Sequence, residues 1–162
     1  MRKYFILFLV SSLFMVSCDN RESDLGYNVS VWNTVVTKVN DVVGIEQSIV
    51  SLDGYSMFSQ RGESAQEYIR EAIEEYAKMD VKEDVVPMRE ALISYMKECD
   101  KLLDIYLSLS KQSVDKVLTE EVVEESYLHI ESVFMEMEKL SEQVTLEQKA
   151  FAKKHYITRY VL

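Results

Sequence analysis

Apolar side chains recur every three or four residues in four stretches of this chain, with short polar links between them. The first stretch carries Trp32, Val35, Val36, Val39, Val42, Val43, Ile49 and Leu52, which predicts a helix over about residues 29 to 53. Its valines favour sheets, but strict alternation is absent and the segment is too long for one strand. Gly44 falls inside it, where it costs about 1 kcal/mol against Ala and leaves room for a close helix crossing. "LDGYSMFSQRGES" reads as a loop punctuated by Gly54 and Gly62. Ser64 and Glu67 have capping-box spacing, in which the hydroxyl accepts a backbone N–H three residues on and the carboxylate reaches back. A second helix is therefore predicted from Ser64 to about Met79, with Ile69, Ala72, Ile73 and Tyr76 on one face.

"DVKEDVVP" ends that helix and opens the next, since Pro87 needs no N–H in a first turn. Leu92, Tyr95, Met96, Cys99, Leu102, Leu103, Tyr106 and Leu109 carry the third stripe toward Val117. Thr119 is the cap expected for a fourth helix from about Glu120 to His155, roughly 54 Å long. Its stripe is Val123, Tyr127, Ile130, Phe134 and Met137, and the same register then meets Ser141, Val144, Gln148 and Phe151. Glu120, Glu121, Glu124 and Glu125 open this helix, while Lys153, Lys154 and His155 close it, as the helix dipole favours. Four amphipathic helices with short links predict an all-α, antiparallel four-helix bundle, one domain over residues 29–162. Only 4 Gly and 1 Pro occur, which disfavours a turn-rich all-β alternative.

Ahead of the bundle stands "MRKYFILFLVSSLFMVSCDN". Arg2 and Lys3 precede an apolar run that Ser11 and Ser12 interrupt. The run covers about 20 Å as a helix, short of the roughly 20 apolar residues a membrane span requires. A secretory leader fits better than a span. An ordinary secretory peptide with an incidental Cys, or a core helix, are the plain alternatives. Met15-Val16-Ser17-Cys18, however, resembles the lipobox of bacterial lipoproteins, with a small residue before the Cys and Met15 where Leu is usual. That resemblance implies residues 1–17 as a cleaved signal peptide and Cys18 as the new N-terminus, acylated with diacylglycerol and palmitate. Each buried acyl CH₂ contributes about 0.8 kcal/mol. Residues 18–28 are polar with no apolar period and read as the lipidated end and a tether, whose last ten residues reach at most ~33 Å. The resemblance implies a bacterial envelope protein, lipid-anchored with the outer membrane or cell surface favoured over the inner membrane and the choice between them open. Asp19 follows the Cys as in inner-membrane retention signals of enterobacteria, a rule other phyla do not follow. The remaining chain resembles helical-bundle surface lipoproteins of Bacteroidetes and spirochaetes in its up-down helices and its late "LEQKAFAKKHYI" segment; that likeness implies no catalytic residue.

The formal charge is −10, and −12 once Arg2 and Lys3 leave with the leader. Such a surface excludes nucleic acid as a partner and gives no general attraction to anionic lipid. With Cys18 acylated, Cys99 stands alone, so neither a disulfide nor a multi-thiolate zinc site is available. Asn28-Val29-Ser30 has sequon form by chance.

Candidate chemistry is sparse. His129 and His155 lack the Glu-x-x-His spacing of bundle di-iron sites, since Ser126 and Ala152 stand three residues before them. Met135 and Met137 suggest copper, but residues two apart on a helix point in different directions, and Met137 fits the core stripe. Cys99 shares the buried face of its helix, with no base beside it. "TEEVVEES" lacks the Gly turn of a calcium loop. In "GYSMFSQRG", Tyr55, Met57 and Phe58 form either a contact patch or a plug for the bundle end. No catalytic residue, metal or cofactor is expected, and no enzyme. The expected function is an interaction or structural module with a protein partner, tied to the bilayer through Cys18. A periplasmic ligand- or metal-binding bundle, or an inhibitor or immunity-type protein with a basic partner, are the rivals.

Overall fold

The computed structural model describes residues 20–158; the expected leader over residues 1–17 and the expected acylation site Cys18 lie outside the described residues. Among the described residues the chain is an all-α bundle of four helices: α1 (Arg21–Val43), α2 (Phe58–Lys78), α3 (Val86–Val114) and α4 (Glu120–Lys154). Two 3-10 turns, Gly44–Ser48 and Leu52–Met57, join α1 to α2. Among the described residues there is no strand, and no helix is long and apolar enough to cross a membrane.

Two layers of contacts fix the up-down order. At one pole Asn28 near the start of α1 meets Tyr76 near the end of α2, Met88 at the start of α3 and Gln148 toward the end of α4. At the other, Glu46 and Tyr55 between α1 and α2 meet Tyr106 in the second half of α3 and Tyr127 near the start of α4. α3 is the central helix and packs against all three others. Its buried residues include Leu92, Met96, Cys99, Leu102, Leu103, Tyr106 and Leu109, the predicted stripe. Pro87 sits in its first turn, as its missing N–H permits. Thr119 caps α4 from extended backbone, its hydroxyl accepting from the Val122 N–H at 3.3 Å.

The predicted tether is helix instead. α1 begins at Arg21, eight residues before the expected start, because Leu25 and Asn28 continue the buried row of Val31, Val35, Val39 and Val42. Leu25 is fully buried with Val85, Met88, Phe151 and Ala152 in a small core at this pole. Asn28 is buried too, but through hydrogen bonds, so the apolar period is broken there while the structural one is not. Burial of its valine row outweighs the weak helix preference of those residues.

α1 ends at Val43, not near residue 53, and the chain turns through the two 3-10 segments. Ser113 and Ser110 of α3 hold that turn by donating to the carbonyls of Leu52 at 2.8 Å and Ser56 at 3.3 Å. α2 begins at Phe58, so Ser64 and Glu67 lie inside the helix as exposed residues and form no capping box. The two glycine expectations also change. A Cβ on Gly44 would meet nothing within 4 Å, so no close crossing occurs there. Gly62, read as loop punctuation, is buried within α2, and a Cβ there would lie 2.9 Å from Leu107 Cδ2 of α3. The close approach is at Gly62.

α3 and α4 both end in a Schellman arrangement built on a non-glycine residue. Lys116 has φ 60° and Tyr156 has φ 55°. Val117 N–H donates to Gln112 C=O at 3.0 Å, and Ile157 N–H to Ala152 C=O at 2.9 Å.

Candidate functional site

Of the predicted contact patch, Tyr55 and Phe58 are core residues, at 7 % and 0 % exposure, and only Met57 lies at the surface. The plug alternative describes them. Phe58 stacks on Tyr106 at 4.5 Å and Tyr55 lies 6.0 Å from Phe58. Tyr55 in the second 3-10 turn and Phe58 at the start of α2, six residues before the expected start, both turn their rings inward. The patch therefore does not exist as a three-residue surface.

Around this plug four oxygens converge from four elements. The Tyr106 hydroxyl donates to Glu46, and Tyr55 and Tyr127 hydroxyls lie 3.5 Å apart. Burial, then the hydrogen bond to Glu46 and its charge, push the Tyr106 phenol well above its ordinary range. Tyr127 is raised in the same way, by burial, by Tyr55 and by the Glu46 charge. These phenols stay protonated and serve as donors. The cluster is satisfied within itself and locks the 3-10 turns to α3 and α4.

The opposite pole carries a charged knot on Asp84, in the α2–α3 link. Arg21 Nη1 lies 2.6 Å from Asp84 Oδ1, His155 Nε2 2.9 Å and Lys154 Nζ 3.7 Å from Oδ2. The His155 ring nitrogen thus stands within hydrogen-bond distance of the carboxylate. Burial by itself raises the Asp84 carboxyl, but the Arg21 guanidinium, with Lys154 and His155 behind it, more than offsets this and holds it below the usual carboxylate range.

Beneath the knot lies a buried amide relay. Asn28 Nδ2 donates to Tyr76 OH at 2.8 Å and to the Met88 carbonyl at 3.2 Å, and Gln148 Nε2 donates to Asn28 Oδ1 at 2.8 Å. It ties all four helices at one level. Sequence reading missed it, because Asn28 and Gln148 look like solvent residues; their helical register with apolar neighbours is the only signal.

His129 is exposed and stands apart from His155. Met135 is exposed and Met137 buried, as two-residue spacing dictates. Cys99 is fully buried, and burial pushes its thiol up to about 12, with Tyr95 beside it. Among the described residues no three His, Cys, Asp or Glu side chains group to hold a metal.

An open groove runs between the second half of α1 and the first half of α2. It has a volume of about 580 Å³ and is lined by Lys38, Asp41, Gln60, Arg61, Ser64 and Ala65. Lys38 Nζ stands 5.0 Å above the Tyr68 ring. Arg61 makes no ion pair with a described residue.

Comparison with family models, with curated proteins and with solved structures finds no match to this chain.

Proposed function

We propose that this protein is a lipid-anchored helical bundle of the bacterial envelope, tied to the bilayer through acylated Cys18, and that it works as an interaction or structural module for a protein partner. The reading rests on Ser17-Cys18 closing a positively led apolar segment too short to span a membrane. It is supported by the start of α1 at Arg21, three residues after Cys18. With so short a link, an acyl group on Cys18 keeps the Arg21–Asp84–His155 pole near the lipid headgroups. The pole bearing Asp53, Glu120, Glu121, Glu124 and Glu125 then faces away. A partner met there has a basic surface, by charge complementarity.

The test is lipid labelling and partition. Expressed in a bacterial host, the full chain takes up alkyne-palmitate and enters the detergent phase, and inhibition of the lipoprotein signal peptidase accumulates the uncleaved precursor. Cys18→Ala loses both label and partition. Retention of Cys18→Ala with the membrane overturns the reading.

A further inference from the structure

We propose that the α1–α2 groove binds a small polar oxyanion: a carboxylate or phosphate group on a low-molecular-weight ligand, gripped by Arg61 and Lys38. The first reason is an uncompensated arginine. The chain holds 28 acids against 18 basic residues. Among the described arginines, Arg21, Arg70 and Arg89 each pair with a carboxylate, at 2.6, 2.8 and 3.0 Å. Arg61 pairs with none among the described residues, although acids outnumber basic residues in the chain as a whole. Its planar guanidinium is left free to accept a bidentate oxyanion, the geometry that arginine serves best.

Lys38 supplies the second charge from the facing helix. The Tyr68 ring beneath its ammonium restrains it by a cation–π contact but does not neutralise it. Gln60 and Ser64, on the same stretch of α2 as Arg61, add uncharged donors. Asp41 is the one acid among the lining residues, so the groove is locally cationic on a molecule of charge −10. Its volume, about 580 Å³, lies within the range of small-ligand sites. Five of its six lining residues are polar or charged, which selects a hydrophilic ligand over an apolar one. A second polar groove, by Arg21, Lys82, Glu83, Asp84 and Lys154, differs in carrying two acids of its own, and Asp84 already engages Arg21 and Lys154.

The site does not depend on acylation at Cys18. The full chain in a non-ionic detergent is titrated calorimetrically with sodium pyrophosphate and, separately, with citrate, at constant ionic strength. The expected result is saturable one-to-one binding of at least one of them. Arg61→Gln and Lys38→Gln each weaken it about tenfold, the loss of one charge-assisted contact. Asp41→Asn tightens it, because the opposing acid is removed. Arg61 is exposed, so Arg61→Gln keeps the parent melting temperature and its effect is read on a folded protein. Absence of saturation with both anions up to about 10 mM, near the weakest affinity such a site can use, overturns the proposal. So does binding that Arg61→Gln leaves unchanged.

Discussion

Asn28→Ala gives the sharpest test of the fold, because residue 28 looks like a tether position in the sequence and is a buried junction in the structure. The substitution removes the donor to Tyr76 OH and the Met88 carbonyl, and the acceptor for Gln148 Nε2. Tyr76 and Gln148 are 1 % and 3 % exposed, so water does not replace what is lost. Leaving a buried polar group unpaired costs about 1–3 kcal/mol. Two such groups, Gln148 Nε2 and Tyr76 OH, therefore set the cost at about 2–6 kcal/mol, a large share of a typical domain's 5–15 kcal/mol. Urea unfolding followed by helical circular dichroism measures it, as a fall in midpoint at constant slope. The triple variant Asn28→Leu, Tyr76→Phe, Gln148→Leu removes all three polar partners together. It should lie within about 1 kcal/mol of the parent, since no orphan is left. A change under about 0.5 kcal/mol for Asn28→Ala, the size of an ordinary surface substitution, refutes the junction and restores the tether.

Lys116→Gly and Tyr156→Gly should each stabilise the protein by about 1 kcal/mol, because both residues hold the left-handed conformation that only glycine adopts freely; a thermal melt reads the rise. The Asp84 carboxyl lies below its ordinary range when folded, so its stabilisation is complete above about pH 4, the unfolded value, and fades as pH falls through that window. The acid limb of the stability curve should accordingly be shallower in Asp84→Asn, and parallel limbs would count against the Arg21–Asp84 pair. Cys99, buried and with its thiol pushed up to about 12, should react with an aromatic disulfide reagent at pH 8 only as fast as the bundle opens, and at once in denaturant.

Much of the architecture was legible because it depends on local rules. The three- and four-residue spacing identified the buried face of α3 and, on α4, Ile130, Met137, Val144 and Phe151, while Tyr127 and Phe134 of the same predicted stripe lie exposed; Thr119 marked a start, and Pro87 a first turn. Those signals are carried by side chains whose burial is apolar. The reading failed where burial is polar or where context changes a residue's meaning. Asn28 carries no apolar signal, so the first two turns of α1 passed for a tether. Ser64 and Glu67 have the right spacing for a cap, yet a helix already under way at Phe58 satisfies its own amides. Tyr55 and Phe58 lie between glycines and could be read as patch or plug, until the fold brought Tyr106 against Phe58.

Sequence alone thus determined the helical class, the number of helices among the described residues and the central stripe, all of which are properties of contiguous residues. Tertiary structure alone decided what sits between helices. Gly62 is a contact point because Leu107 lies opposite it, and Asp84 is a knot because Arg21 and His155 reach it from the two ends of the chain. That Arg61 has no ion-pair partner among the described residues is visible only once its surroundings are known, since pairing depends on distance in space and not on order along the chain.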